Sequence, residues 1–425
     1  MKMIWQWFLK NRMITKRNYS TPLFLFILAL SFLSAASFRF NLGVIPVVFP
    51  VFPLLILYFL CETTKKKIFL GLRMAIFSLI ALLTIGLVVS LLISMRHFSA
   101  PEFYIHDGAL QAEEAIKYFL NGKNPYAEDY LGTPLIRWGY TAMAGEPNPA
   151  LFHFTYLPFL FLFALPFYLS GIFLIGWFDI RFVFCFCFIG SLYLLYKIVK
   201  SERNRLLFLI IFAFNPIFVL DLVEGYNDVF ILFWLLLTIY FLKRGRITLS
   251  AVPLGLALAS KQTAWFILPF YFIFVSRQVK PKRLIPLVLG VAKKCWPLFA
   301  ACLLFILPFL LWNTRSFIGD TYQYLDGSLS TSYPIRGMGF SSWLVSLGII
   351  KSALGNYPFW LFQVIFSLPV LVFLVKKQLR ENSLARMVIN YAIFLSVFWF
   401  FSRFFNYSYP GCLSQLLLIG AALDS

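Results

Sequence analysis

Apolar runs recur along this chain from Pro22 almost to its end, and several reach roughly 18 residues or more, enough to cross a bilayer. A helix satisfies its own backbone hydrogen bonds in lipid, so such runs specify helices. A β-barrel would show short alternating segments, and these are absent. With 61% of the residues hydrophobic and only 13% charged, no soluble core could hide the apolar surface. The expected fold is all-α, a polytopic integral membrane protein of about 12–14 transmembrane helices forming one membrane domain. Approximate spans are 22–40, 43–61, 70–94, 154–176, 181–197, 206–222, 229–242, 247–260, 262–276, 295–312, 356–375, 384–402 and 411–424. Residues 22–61 make an N-terminal hairpin, and 340–350 a short or re-entrant piece.

The formal net charge of +20 sits in short clusters between the spans: Lys10 to Arg17, Lys65 to Lys67, Lys197 to Arg205, Lys243 to Arg246, Arg277 to Arg283, Lys293-Lys294 and Lys376 to Arg380. That is the positive-inside pattern. Its expected partners are anionic membrane lipids, with no nucleic acid. The basic N-terminus is long for a signal peptide, so the first span is read as uncleaved. The cysteines, Cys61, Cys185, Cys187, Cys295, Cys302 and Cys412, lie in or beside apolar runs without zinc or disulfide spacing.

With the N-terminus inside, the first long polar loop, 95–150, and the second, 313–340, are extracytoplasmic. The turns at 221–228 and 260–262 then also face out. One conflict arises. Between the outer residue 150 and the inner residue 197 the chain crosses an odd number of times, yet it shows two apolar runs, split by Phe178-Asp179-Ile180-Arg181. Pro158 and Pro166 interrupt the first run, which fits a kinked, re-entrant or interfacial path.

The outer side carries the chemistry-bearing groups. Asp107 opens a helical pattern over 108–120, with Leu110, Ala112, Ile116, Phe119 and Leu120 on one side and Gly122 as a stop. Asp107 is expected to cap this helix, to act as a base, or both; the helix itself could lie flat on the membrane surface. Lys261 tips a hairpin too short to span, so it sits slightly sunken, where a lone cation calls for an anion such as phosphate. A snorkelling lysine is the plainer alternative. Glu224 and Asp228 share a face if their segment is helical. They could back the site, bind a metal or bind an acceptor, or they could be a solvated turn. Arg315 and Arg336 join Tyr322, Tyr324 and Tyr333 in the second loop, a mixture suited to a phosphate clamp or sugar stacking and equally to a plain interfacial loop.

Several short pieces in order then carry a resemblance: His106-Asp107-Gly108, Asn121-Gly122-Lys123-Asn124-Pro125-Tyr126, Phe154-Thr155-Tyr156-Leu157-Pro158, Phe214-Asn215-Pro216, Glu224-Gly225-Tyr226-Asn227-Asp228, and Gly255 to Lys261 with Pro269. The layout resembles the GT-C superfamily of polytopic glycosyltransferases, and within it the GPI mannosyltransferase I catalytic subunit and bacterial relatives, over roughly residues 70–280. The resemblance implies a membrane hexosyltransferase, mannosyltransferase-like, that moves a sugar from a polyprenyl-phosphate donor to a glycan or lipid-linked acceptor with inversion. It implies Asp107 as catalytic base, Lys261, Arg315 and Arg336 on the donor phosphate, and His106, Tyr126, Tyr156, Glu224, Asn227 and Asp228 as substrate-binding residues. Where many members carry a second acidic residue, this chain has His106 or Gly108. No cofactor is required by this reading beyond the donor, though a divalent metal is compatible with it. The expected location is a prokaryotic plasma membrane, active site outward, or the endoplasmic reticulum of a eukaryote. The rival class is a transporter or flippase of a lipid-linked saccharide; the hydropathy pattern shows no internal repeat of the kind many transporters have.

Overall fold

The computed structural model describes residues 20–43, 45–63, 68–99, 103–138, 147–279 and 283–424. The basic clusters Lys10 to Arg17 and Lys65 to Lys67 lie outside the described residues.

The described chain is almost wholly helical. Helices α1 (Ser20–Phe40) and α2 (Ile45–Thr63) form the first hairpin. Next come α3 (Ile68–Ala81) and α4 (Leu87–Phe98), joined through a π turn at Leu82–Gly86. The first loop carries α5 (Asp107–Leu120). Beyond it run α6 (Phe159–Ile175), α7 (Arg181–Ile198), α8 (Glu202–Phe214), α9 (Pro216–Glu224), α10 (Asp228–Lys243), α11 (Ile247–Leu258), α12 (Leu268–Val279) and α13 (Leu284–Trp312). The second loop holds α14 (Thr314–Ile318), α15 (Tyr324–Asp326) and α16 (Phe340–Ser346). The chain closes with α17 (Phe359–Arg380), α18 (Leu384–Phe400) and α19 (Tyr409–Asp424). The sheet is minimal: β1 (Arg336–Gly337) pairs in parallel with β2 (Phe404–Phe405), tying the second loop to the α18–α19 turn.

Each expected apolar segment coincides with helix, but the count of about 12–14 spans is corrected. By length and hydropathy, five helical stretches among the described residues are able to cross a membrane: α1, the continuous α3–α4 stretch, α7, α13 and α17. A sixth counts if the bent α8–α9 pair is one span. Several of the others, among them α10, α11 and α12, have only 12 to 16 residues. At 1.5 Å per residue these are shorter than the roughly 30 Å hydrocarbon core. Five or six apolar helices suit a multi-pass membrane protein. The outer surface agrees: α13 exposes Leu284, Leu289, Trp296, Leu304 and Leu311, as a lipid-facing helix does.

The α8–α9 break has a local cause. Asn215 caps α9 by accepting the Phe218 N–H, and Pro216 at the first helical position cannot continue α8, so the axes bend by 51°. The Asn215 amide also donates to Ser414 Oγ at 2.6 Å, which fixes the bend against α19.

The path between residues 150 and 197 is set by the ends of α6. At its start, Leu157 and Phe159 donate their N–H groups to Ser260 and Ala259. It stops at Gly176, and the turn beyond returns Ile180 N–H to Glu113 of α5 at 2.8 Å. The two ends of α6 are thus tied to the Ala259–Ser260 turn and, through Ile180, to α5, and α7 is the one of the two apolar helices long enough to span a membrane. The far end of α7 meets a basic cluster, where Lys243 Nζ donates to Ile198 O. The 340–350 piece contains the seven-residue α16, packed with Ile335, Ile350 and Phe359 in a small separate core.

Candidate functional site

Asp107 is not the cap of α5. His106 is, with extended backbone and its Nδ1 accepting the Gly108 N–H at 3.1 Å. Asp107 is the first helical residue, where the helix dipole favours negative charge. Its Oδ1 accepts the Gly108 N–H at 2.7 Å and its Oδ2 the Asn148 amide at 3.0 Å. The cap also fixes the imidazole tautomer: with Nδ1 accepting, the neutral ring carries its proton on Nε2, which lies 3.2 Å from Asp107 Oδ1. Burial lowers the His106 pKa, chiefly by desolvation, so the neutral form prevails at pH 7. The other face of the ring lies on Tyr226, centroids 3.8 Å apart.

Helix α5 does not lie exposed on a membrane surface either. Residues Gly108 to Ile116 are buried on every side, Glu113 and Glu114 included. Gly108 has to be glycine, because a Cβ there would stand 2.0 Å from the Tyr156 hydroxyl. That close approach sets the Tyr156 phenol directly beside Asp107.

Lys261 is held rather than free. Its Nζ donates to Asp228 Oδ1 at 2.6 Å and to Asn227 Oδ1 at 3.0 Å, with 14% of the side chain exposed. Gln262 next to it ties the segment before α6 to the second loop, donating to Thr155 O and Thr321 O. Glu224 and Asp228 do not share a helix face. Glu224 ends α9 and Asp228 begins α10, with Gly225 at φ 95° turning the chain between them. Glu224 turns instead to Arg39 at the end of α1, whose Nη2 meets Glu224 Oε2 at 2.7 Å. Both carboxylates thus already have cationic partners. Among the described residues, no three His, Cys, Asp or Glu side chains converge to hold a metal ion.

These groups surround one cavity of about 920 Å³. His106, Asp107, Tyr156, Glu224, Asn227, Asp228, Lys261 and Arg336 all line it. Arg336 sits on β1 with its guanidinium 6.0 Å from the centre of the Tyr333 ring. The C-terminal helices add apolar side chains to the lining: Phe359 and Trp360 of α17, Phe398 and Trp399 of α18. Two of the expected residues lie elsewhere. Tyr126 is buried behind the site, its hydroxyl donating to Tyr156 O at 2.8 Å, and it braces the Tyr156 backbone. Arg315 is exposed on α14 and does not reach the cavity.

Sequence reasoning missed three features. Arg39 is one; a solitary arginine in the last turn of α1, away from the basic clusters, repeats the anomaly that singled out Lys261. The pairing of Asp320, a residue of the second loop, is the second. The carboxylate, raised in pKa by burial, takes His153 Nδ1 at 2.7 Å and the Phe154 N–H at 2.8 Å, and so locks the second loop onto the first. The third is a closed charge network. Arg96 at the end of α4 donates to both oxygens of Glu113 and to Asp179, and Arg181 donates to both oxygens of Asp179. Arg181 Nη1 reaches on to the carbonyls of Tyr104 and Val223. It therefore fixes the strand that leads into His106, whose N–H is bound to Glu224 O at 2.7 Å. The only hint in the sequence was a charged pair between two apolar runs. Arg403 donates to the carbonyls of Tyr333, Ala353, Leu354 and Gly355 and is spent on holding loops. No family model matches this chain, and no curated protein matches it.

Proposed function

We propose that the protein is a membrane glycosyltransferase of the GT-C kind, which moves a hexose from a polyprenyl-phosphate donor to a glycan or glycolipid acceptor on the extracytoplasmic face. The observation that carries this reading is the convergence of the Asp107 carboxylate with Lys261 and Arg336 around one 920 Å³ cavity whose lining also includes the apolar side chains Phe359, Trp360, Phe398 and Trp399. A lipid-phosphate sugar likewise combines polar and apolar parts, and the cavity has room for it.

In this reading the acceptor hydroxyl gives its proton to Asp107 as its oxygen bonds to the anomeric carbon. The bond from that carbon to the phosphate oxygen breaks, and its electron pair leaves on the lipid phosphate. Lys261 and Arg336 offset the charge that develops there. Attack opposite the leaving group inverts the anomeric centre. His106 keeps Asp107 aligned, and Tyr156 walls the acceptor side. The Asp228 carboxylate and Asn227 amide hold the Lys261 ammonium in place, so that charge stabilisation needs no rearrangement.

The test is sugar transfer by purified protein from radiolabelled polyprenyl-phosphate hexoses, with the product anomer assigned by NMR. Transfer with inversion is expected. Retention of configuration, or no transfer from any donor in the series while the protein moves lipid-linked sugar between leaflets of a vesicle, contradicts it.

A further inference from the structure

Among the described residues two non-glycine positions adopt positive φ, Asn41 at 51° and Tyr104 at 61°. This backbone region is unfavourable for a bulky side chain such as tyrosine, and such strain gathers where a ligand is gripped. Both residues stand on the same rim of the cavity, and Arg39 and Phe40 stand with them. Tyr104 is held in place by Arg181, which donates to its carbonyl at 2.8 Å.

Arg39 is the charged group of this rim, with 47% of its side chain exposed. It closes an apolar helix able to span a membrane, one residue after Phe38, which is 94% exposed on the outer surface. Glu224 takes the Nε and Nη2 edge of the guanidinium. A guanidinium has five donors in a rigid fork that matches phosphate as well as carboxylate. Nη1 remains for a second anion, and Glu224 serves to orient the fork. A cation at the end of a lipid-facing helix, opening into a cavity, meets the phosphate of a lipid at the depth where headgroups lie. The donor phosphate is already provided for by Lys261 and Arg336, which reach the cavity from the α11 hairpin and β1.

We propose that the Arg39 rim is a second lipid-phosphate site, which takes the phosphate of a lipid-linked acceptor while Lys261 and Arg336 hold that of the donor. The inference rests on the glycosyl-transfer reading for the word acceptor, and it narrows the acceptor to a phosphate-bearing lipid. The site itself is testable without any transfer.

The experiment is equilibrium binding of radiolabelled farnesyl phosphate to the purified full-length protein, with farnesol and inorganic phosphate as competitors. Two equivalents are expected for wild type, one for Arg39→Gln, and one for Lys261→Gln. Arg39→Lys, which keeps the charge but loses the fork, should retain the second equivalent with about tenfold weaker affinity. It also guards against a folding defect in the glutamine variant. Binding of one equivalent only, unchanged by either Arg39 substitution, overturns the proposal. So does equal competition by inorganic phosphate, which marks a general anion site. If sugar transfer proves absent while the Arg39-dependent equivalent persists, the lipid-phosphate site stands and the transfer reading falls.

Discussion

Two groups of charges sit inside this apolar chain, and they are built differently. Arg96, Glu113, Asp179 and Arg181 are all almost completely buried, and two cations balance two anions. Asp179 shows the closure. Burial alone would raise its pKa, but Arg181 and Arg96 hold it well below the usual carboxylate range. The four hydrogen bonds to its carboxylate come from these two arginine side chains and the Arg181 backbone. Such a network has no capacity left for a ligand, and its energetic weight is felt when one member is lost. The second group, His106, Asp107, Asp228, Lys261 and Arg336, lines open space. Its members are oriented by neighbours, yet Asp107, which accepts its own helix N–H and the Asn148 amide beside His106 Nε2, still lines the cavity. Closure on all sides marks buried charges that are scaffold; an open side marks those with chemistry left to perform. The two groups are joined through Arg181 and the Tyr104 carbonyl, so the closed network sets the position of the open one.

Removing one charge from each group should have opposite consequences. Arg181→Met leaves Asp179 buried against Arg96 alone, and breaking such a network costs about 3–5 kcal/mol. Thermal unfolding in detergent should shift strongly, with transfer lost along with the fold. Lys261→Met should behave in the opposite sense. Transfer should fall by about two to three orders of magnitude, with a much smaller shift in unfolding than Arg181→Met gives. Equal effects of both variants on stability would erase the distinction.

His106 gives a smaller, pH-dependent effect. Burial lowers its pKa in the folded protein. As pH falls through the ordinary histidine value, the unfolded chain takes up a proton before the folded protein does, so stability is lost on acidification and is fully present above that value. Between about pH 7.5 and about pH 5.5, wild type should lose more unfolding temperature than His106→Gln does. Parallel losses would show that the ring is not buried as described. The smallest effect belongs to Tyr126→Phe. It removes one hydrogen bond behind the site, costs about 1 kcal/mol and leaves the rate of transfer nearly intact. A specific loss of substrate affinity in this variant would return Tyr126 to the cavity.

Much of the architecture was legible because hydropathy and punctuation act locally. Gly122 at φ 72° lies just past the end of α5, where the sequence places a stop, whereas the break at Asn215-Pro216 falls inside the expected span 206–222. Charge placed Asp107 and Lys261 on one expected side; that both line one cavity is seen only in the structure. What hydropathy does not encode is depth. The run 159–175 is as apolar as a span, yet its helix is only 17 residues long, about 25 Å, short of the roughly 30 Å hydrocarbon core. Pairing across distance was equally hidden. Nothing in the spacing says that Asp320 meets His153, 167 positions away, or that Glu224 turns to Arg39 instead of Asp228. The expectation that Glu224 and Asp228 share a face failed because it assumed continuous helix through Gly225.

Everything proposed for the open group depends on Asp107 taking the acceptor proton. The decisive comparison is transfer from a radiolabelled polyprenyl-phosphate hexose by wild type and by Asp107→Asn, each checked for its unfolding temperature. Asparagine keeps the shape and can accept the Gly108 N–H, but it cannot serve as the base. A loss of about two to four orders of magnitude in rate is expected, with unfolding unchanged. Transfer at the wild-type rate in a normally folded Asp107→Asn protein would contradict the assignment.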